Sequence, residues 1–158
     1  MKTDSTIRTA TENDLDSLTD LWLELMIHHK NDSNLFQVKE DSRDGIQKIL
    51  KTKMENKNTQ IFVSVLQSKV LGFIVCSFQI GSPIFNLYKK GYIAETVIHS
   101  NCRGQGIGKN LYSSAEEWLK KQGVDHIQLQ VSVKNPKGID FWSNQGFEKV
   151  TFSMNKEV

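Results

Sequence analysis

Between Arg103 and Lys109 the chain reads Arg-Gly-Gln-Gly-Ile-Gly-Lys, with glycine at every second position between two full positive charges. Without side chains at Gly104, Gly106 and Gly108, backbone N–H groups can converge on an anion. A helix starting in such a loop adds partial positive charge at its N-terminus. Arg103 and Lys109 supply whole charges beside it. The chemistry this favours is the binding of a pyrophosphate.

Spelling separates three loops of that kind. The dinucleotide fingerprint G-x-G-x-x-G fails, because Lys109 stands where the third glycine belongs. A nucleotide P-loop, G-x-x-x-x-G-K-[ST], fails twice: Arg103 takes the first glycine's place and Asn110 follows Gly108-Lys109. The remaining pattern, [RQ]-x-x-G-x-[GA], is matched by Arg103, Gly106 and Gly108. A glycine-rich turn that only caps a helix would share some of this spelling. Here, however, a strand is expected before the loop and an amphipathic helix after it.

Those flanking elements follow from periodicity. Gly91–His99 reads as a strand, and Gly104–Gly108 opens a helix to Gln122 with Ile107, Leu111, Ala115, Trp118 and Leu119 on its buried stripe. Gly123 stands in the position that a left-handed cap favours. Upstream, Ile7–Thr11 is a short opening strand. Thr11 and Asp14 give a capping signal, and Leu15, Leu18, Trp22, Leu25 and Met26 mark one face of a helix to Lys30. A second helix is expected from Ser42 to Glu55, with Ile46, Ile49, Leu50 and Met54 inward. Strands follow at Gln60–Leu66 and Val70–Gln79, joined by the turn Gln67-Ser68-Lys69. Downstream come a strand at His126–Val133, a helix at Pro136–Gln145 with proline in its first turn, and a last strand at Gly146–Ser153. The order is β-α-α-β-β-β-α-β-α-β, a mixed sheet with helices packed on it.

Composition excludes several function classes. The chain has 158 residues, 38% of them hydrophobic and 24% charged, which suits one globular domain over residues 1–158. A net charge of +2 is too small to imply nucleic acid. No apolar run approaches the roughly 20 residues that span a bilayer, so no membrane is expected. The start, Met1-Lys2-Thr3-Asp4-Ser5-Thr6, lacks the apolar core of a signal peptide. Cys76 and Cys102 form no metal-type spacing, which predicts reduced thiols in a cytoplasmic protein and no metal.

The loop resembles the acyl-CoA pyrophosphate loop of the GNAT (GCN5-related N-acetyltransferase) superfamily, and the resemblance extends over nearly the whole chain. Ile7-Arg8-x-Ala10-Thr11-x-x-Asp14 is similar to the family's first strand and turn, and Val70-Leu71-Gly72-Phe73-Ile74 to its third strand. Asn135-x-x-Gly138-x-x-Phe141-Trp142-x-x-x-Gly146-Phe147 resembles the terminal signature N-x-x-A-x-x-F/L-Y-x-x-x-G-F. The resemblance implies a single-domain α/β fold: a mixed, mostly antiparallel twisted sheet with flanking helices and a splayed parallel strand pair, Gly91–His99 with His126–Val133. It implies an N-acetyltransferase that takes acetyl-CoA as co-substrate, commonly as a homodimer. Arg103, Gly104, Gln105, Gly106, Ile107, Gly108 and Lys109 would then hold the diphosphate. Thr96, Val97 and Ile98 would meet the pantetheine arm with their backbone, and Asn135 would reach the cofactor. As an Asn before Pro, Asn135 also suits a helix N-cap.

Within this family the acceptor is a small-molecule amine (a polyamine, amino acid or aminoglycoside) or a protein amine. A thioester is already activated, so proximity alone supplies about 7–11 kcal/mol. An alkylammonium must first lose a proton, and Glu95, on the cofactor-binding strand, is the candidate base; a surface ion pair is its other reading. Many relatives carry the acid at the position of Ala94, which strand alternation would turn to the opposite face from Glu95. The N–H of Val97 or Ile98 is the candidate oxyanion donor. Trp142 stands where relatives carry a Tyr general acid, and indole does not release its proton. Tyr112, Tyr92 and Tyr88 are the phenols nearest in sequence. His28 and His29 close the first helix, where relatives shape the acceptor pocket; as solvated residues they would also suit the helix dipole. A CoA-binding module without catalysis is the alternative that Trp142 and Ala94 favour.

Overall fold

The computed structural model describes residues 4–30, 35 and 37–158; Met1, Lys2 and Thr3 of the opening segment lie outside them. Its elements are β1 (Thr6–Thr9), α1 (Leu15–His29), α2 (Arg43–Glu55), β2 (Thr59–Leu66), β3 (Lys69–Ile80), β4 (Lys89–Ile98), α3 (Ile107–Lys121), β5 (His126–Leu129) and α4 (Pro136–Asn144). The strands form one sheet in the order β1-β2-β3-β4-β5, antiparallel except for the β4–β5 pair.

The sheet is the middle of three layers. Leu18, Leu21, Ile46 and Leu50 of α1 and α2 pack on one face against Ile61, Val63, Phe73, Val75 and Val97. On the other face Ile107, Leu111, Tyr112, Ala115 and Leu119 of α3, with Trp142 of α4, pack against Leu71, Ile74, Cys76 and Ile93. β3 is covered on both faces. That accounts for its unbroken apolar run Val70–Cys76 where a half-exposed strand would alternate. The β2–β3 turn places Gln67 and Ser68 at positive φ (47° and 66°), the two-residue hairpin geometry that matches strand twist.

The structure departs from the expected elements at four places. Gly146–Ser153 forms no strand: the Phe147 ring packs on Trp142 and Tyr112, and beyond it Val150, Phe152 and Met154 are exposed, Phe152 at 85%. A strand needs a ladder partner, and this segment has none among the described residues. β5 stops at Leu129, short of Val133. Ile49 is exposed rather than inward and lines an apolar groove with Trp22, Met26 and Val38. On α3, Tyr112 is buried, while Trp118 is half-buried against Phe78. Among the described residues no helix is long and apolar enough to cross a membrane.

The capping signal at Thr11 and Asp14 forms around a buried carboxylate. Asp14 accepts from Arg8 Nη1 and Nη2 at 2.7 and 2.9 Å, and from the N–H and hydroxyl of Thr11 at 2.8 and 3.2 Å. These bonds tie β1 to the start of α1 through a short 3-10 turn at Glu12–Asp14. They hold the Asp14 carboxyl below its usual range, Arg8 contributing most. Because the folded-state value is depressed, the stabilisation is present above the unfolded value near 4 and is lost as pH falls through the folded one. Asp14→Asn should therefore cost about 1–3 kcal/mol at neutral pH, less than a fully buried pair because Arg8 is half-exposed. The gap to wild type should close below about pH 4, as read by urea unfolding across pH.

Candidate active site

The site is built where β4 loses a partner. β5 accompanies β4 only as far as Ile93↔Leu129, while β3 stays paired through Thr96↔Ile74, Val97↔Phe73 and Ile98↔Gly72. From Ala94 onward one edge of β4 therefore faces a gap. The His99 N–H donates to the Leu71 carbonyl at 2.9 Å. In an antiparallel ladder such bonds recur every second residue, which turns the Val97 N–H toward β3 and leaves those of Thr96 and Ile98 on the open side. Of the two expected oxyanion donors, only Ile98 faces the gap, and Thr96 joins it. The Thr96 hydroxyl is buried with no hydrogen-bond partner. Gly72 lets β3 and β4 approach here, since a Cβ would lie 2.6 Å from the Val97 carbonyl oxygen.

Past β4 the chain makes one 3-10 turn (Ser100–Cys102) and enters the glycine loop. Arg103 folds back, its Nε donating to the Ile98 carbonyl at 3.2 Å. Gly106 has φ +83° and is the N-cap of α3. No side chain caps the helix, and the first bond from its interior runs from Asn110 N–H to the Gly106 carbonyl. The N–H groups of the first turn thus have no capping side chain. Gly108 sits against the Phe141 ring, 3.4 Å from where its Cβ would be, so the loop and α4 are in contact. Asn135 is the N-cap of α4, its Oδ1 accepting from the Gly138 N–H at 3.0 Å. A Cβ at 138 would lie 2.5 Å from Asn135 Nδ2, which accounts for glycine where the family spelling has alanine.

Glu95 is placed by a bulge. Ile74 pairs with Thr96 and Cys76 with Ile93, so Ala94 and Glu95 together face the single residue Val75. The extra residue breaks the alternation expected from the sequence. Ala94 packs on the α1–α2 core, and Glu95 reaches the same side, where its Oε2 lies 3.6 Å from Lys53 Nζ of α2. The Glu95 side chain is 17% exposed, and Oε2 is buried without a hydrogen-bond partner. Burial pushes its carboxyl above the usual range, against the opposing pull of Lys53.

The other predicted residues fall in different surroundings. The Tyr112 phenol donates to Glu116 Oε1 of its own helix at 3.1 Å, and burial pushes it far up. Burial and the Glu95 charge both raise Tyr92, which associates it with the candidate base. Tyr88 is exposed. Trp142 is buried edge-on against Tyr112, Phe141 and Phe147, a packing role. His28 and His29 lie edge-to-face at the last turn of α1, with His28 exposed. α1 touches the site instead through Glu24, which accepts from the Ser100 N–H at 2.9 Å. Glu24 and Lys53 were missed. Lys53 was legible as a lysine spaced three and seven residues beyond the inward Leu50 and Ile46.

The acetyltransferase (GNAT) family model matches residues 15–147. The chain belongs to this family. An uncharacterized N-acetyltransferase of Methanocaldococcus jannaschii is 30% identical over 146 residues, 91% of this chain and 61% of that one. The chain thus spans less than two thirds of that relative's length. An aminoalkylphosphonate N-acetyltransferase of Salmonella typhimurium is 27% identical over 155 residues, 96% of this chain and 90% of that one. The fold is shared with the crystal structure of a predicted acetyltransferase with acetyl-CoA from Clostridium acetobutylicum, at TM-score 0.79 and 15% identity, covering 97% and 96% of the two chains.

Nothing lies within 4 Å of a Cβ built at Gly106, so its left-handed φ is what demands glycine. Gly106→Val should force the loop to another conformation and weaken acetyl-CoA binding by at least about tenfold, while Gly106→Asn, which tolerates that φ, should lose less. Calorimetry reads both; unchanged affinity in a folded valine variant would remove the loop's role.

Proposed function

We propose that this chain is an acetyl-CoA-dependent N-acetyltransferase acting by direct attack of a primary amine. The observation that carries the reading is the open edge of β4, with the buried Glu95 at its bulge and the uncapped N-terminus of α3 at its end. The residues present suit the co-substrate. First-turn N–H groups with Arg103 and Lys109 would hold the diphosphate through Gly104–Gly108, and the Thr96 and Ile98 backbone would hold the arm. The Asn135 amide, beyond its capping bond, retains donors for the same ligand. Acetyl-CoA supplies the activated acyl group.

Glu95 then takes the ammonium proton of the acceptor, directly or through one water. Its shielded setting favours that role, because burial raises a carboxylate toward the operating pH. The N–H of Thr96 or Ile98 donates to the acyl oxygen as charge develops there. The leaving thiolate, with a thiol value near 8.5, departs without a dedicated acid, which suits the packing role of Trp142. The acceptor is a small-molecule or a protein amine, and the aminoalkylphosphonate relative supports the first. The engagement of Tyr112 with Glu116 favours a second reading, a CoA-binding module without turnover; thioester consumption with a panel of amines decides between them.

The exposed tail supports a homodimer. Val150, Phe152 and Met154 alternate along an extended segment, and β5 is a sheet edge. Sedimentation should give a dimer for the full chain and a monomer after truncation beyond Glu148; a monomeric full chain removes the idea.

For the chemistry, Glu95→Gln should lower kcat by about 10²–10⁴-fold with little change in acetyl-CoA affinity. In wild type kcat/KM should fall as pH drops through the raised Glu95 value, above the ordinary glutamate range, and that limb should vanish in the variant. Retained activity with the limb intact would put the base elsewhere.

A further inference from the structure

We infer that Lys53 is an internal acceptor, which the chain acetylates with its own acetyl-CoA. The inference rests on the reading above that the acyl group lies beside Glu95. An acceptor amine must come to the candidate base as an ammonium, and one already stands there: Lys53 Nζ, 3.6 Å from Glu95 Oε2. α2 delivers it from its inward face, one turn past Leu50, and the side chain is 28% exposed. By contrast Lys120 and Lys121 on α3 are about 70% exposed and pair with carboxylates of their own helix. The ion pair is longer than a hydrogen bond, and the facing oxygen has no hydrogen-bond partner, so the ammonium is held by charge alone on a flexible four-carbon stem. Such a stem can carry the nitrogen a few ångströms along the open edge of β4 without moving the helix.

The step balances without an added reagent. Glu95 takes one proton from the Lys53 ammonium, and the freed lone pair attacks the thioester carbonyl carbon. The C–N bond forms and the C–S bond breaks. The thiolate leaves and takes up the second proton shed by nitrogen as the amide forms, and Glu95 returns its own proton to water. The product has a neutral amide where the counter-cation of Glu95 stood. A shielded carboxylate that loses its cation is driven further toward the neutral form, so the modification would also slow acetylation of added amines.

The test uses full-length wild type, Lys53→Arg and Glu95→Gln, each incubated with acetyl-CoA and no added amine. Peptide mass spectrometry then follows acetylation site by site, and circular dichroism checks that each variant is folded. Lys53 of wild type should gain one acetyl group about a hundredfold faster than Lys120 and Lys121, at a rate per molecule independent of protein concentration. In Glu95→Gln the rate should drop to that of the surface lysines, and no label should appear at position 53 of Lys53→Arg. Protein purified already acetylated at Lys53, but not in Glu95→Gln, carries the same meaning. Labelling of Lys53 no faster than Lys120, or unchanged in Glu95→Gln, overturns the inference. If added amines are still turned over while Lys53 stays unlabelled, only the internal acceptor falls. If neither thioester consumption nor labelling occurs, the proposed function falls with it.

Discussion

After Ile93 the backbone of β4 has a ladder on one side only. Unsatisfied N–H and C=O groups inside a protein are expensive, and a sheet ordinarily avoids them by closing its pairs. Here β5 ends after four residues while β4 runs on to Ile98, held from the other side by β3. The donors thus left over are the requirement that the neighbouring parts answer. Gly72 allows β3 to hold β4 closely enough to carry it unaided, Arg103 returns to the Ile98 carbonyl, and Glu24 fixes the Ser100 N–H. The backbone groups that remain run from the bulge to the start of α3.

The bulge adds the second constraint. One inserted residue is enough to swing Glu95 onto the α2 side, where burial raises its carboxyl and Lys53 pulls it the other way. Burial and the nearby cation act on this carboxyl in opposite directions, and burial is the larger influence. Cys76, on the β3 side of the bulge, shows the contrast: burial pushes its thiol up to about 12 against the opposing bond to the Gln60 carbonyl, with no cation among the described residues beside it.

Much of this was legible because it is local. Gly123 reads as a left-handed position from its place after an amphipathic run, and its φ of +72° agrees. Asn135-Pro136 reads as a helix start, and the side chain does cap α4. The apolar run of β3 reads as a strand, and the structure covers it on both faces. Where the reading failed, the deciding partner was distant. Residues 146–153 have the alternation of a strand, yet alternation does not supply a neighbour to bond with, and none is present among the described residues.

The sequence by itself determined the order of elements up to α4, the glycine loop that opens α3 and the family, since these rest on residue types within a few positions of one another. Only the tertiary structure decided which face Glu95 takes, that Lys53 stands beside it, and that Thr96 and Ile98 rather than Val97 open toward the gap. Each of those depends on register between strands, and a shift of one residue reverses every side chain that follows. A sequence states its residues in order, but the count of β4 against β3, with one residue too many between Ile93 and Thr96, exists only once the strands are paired.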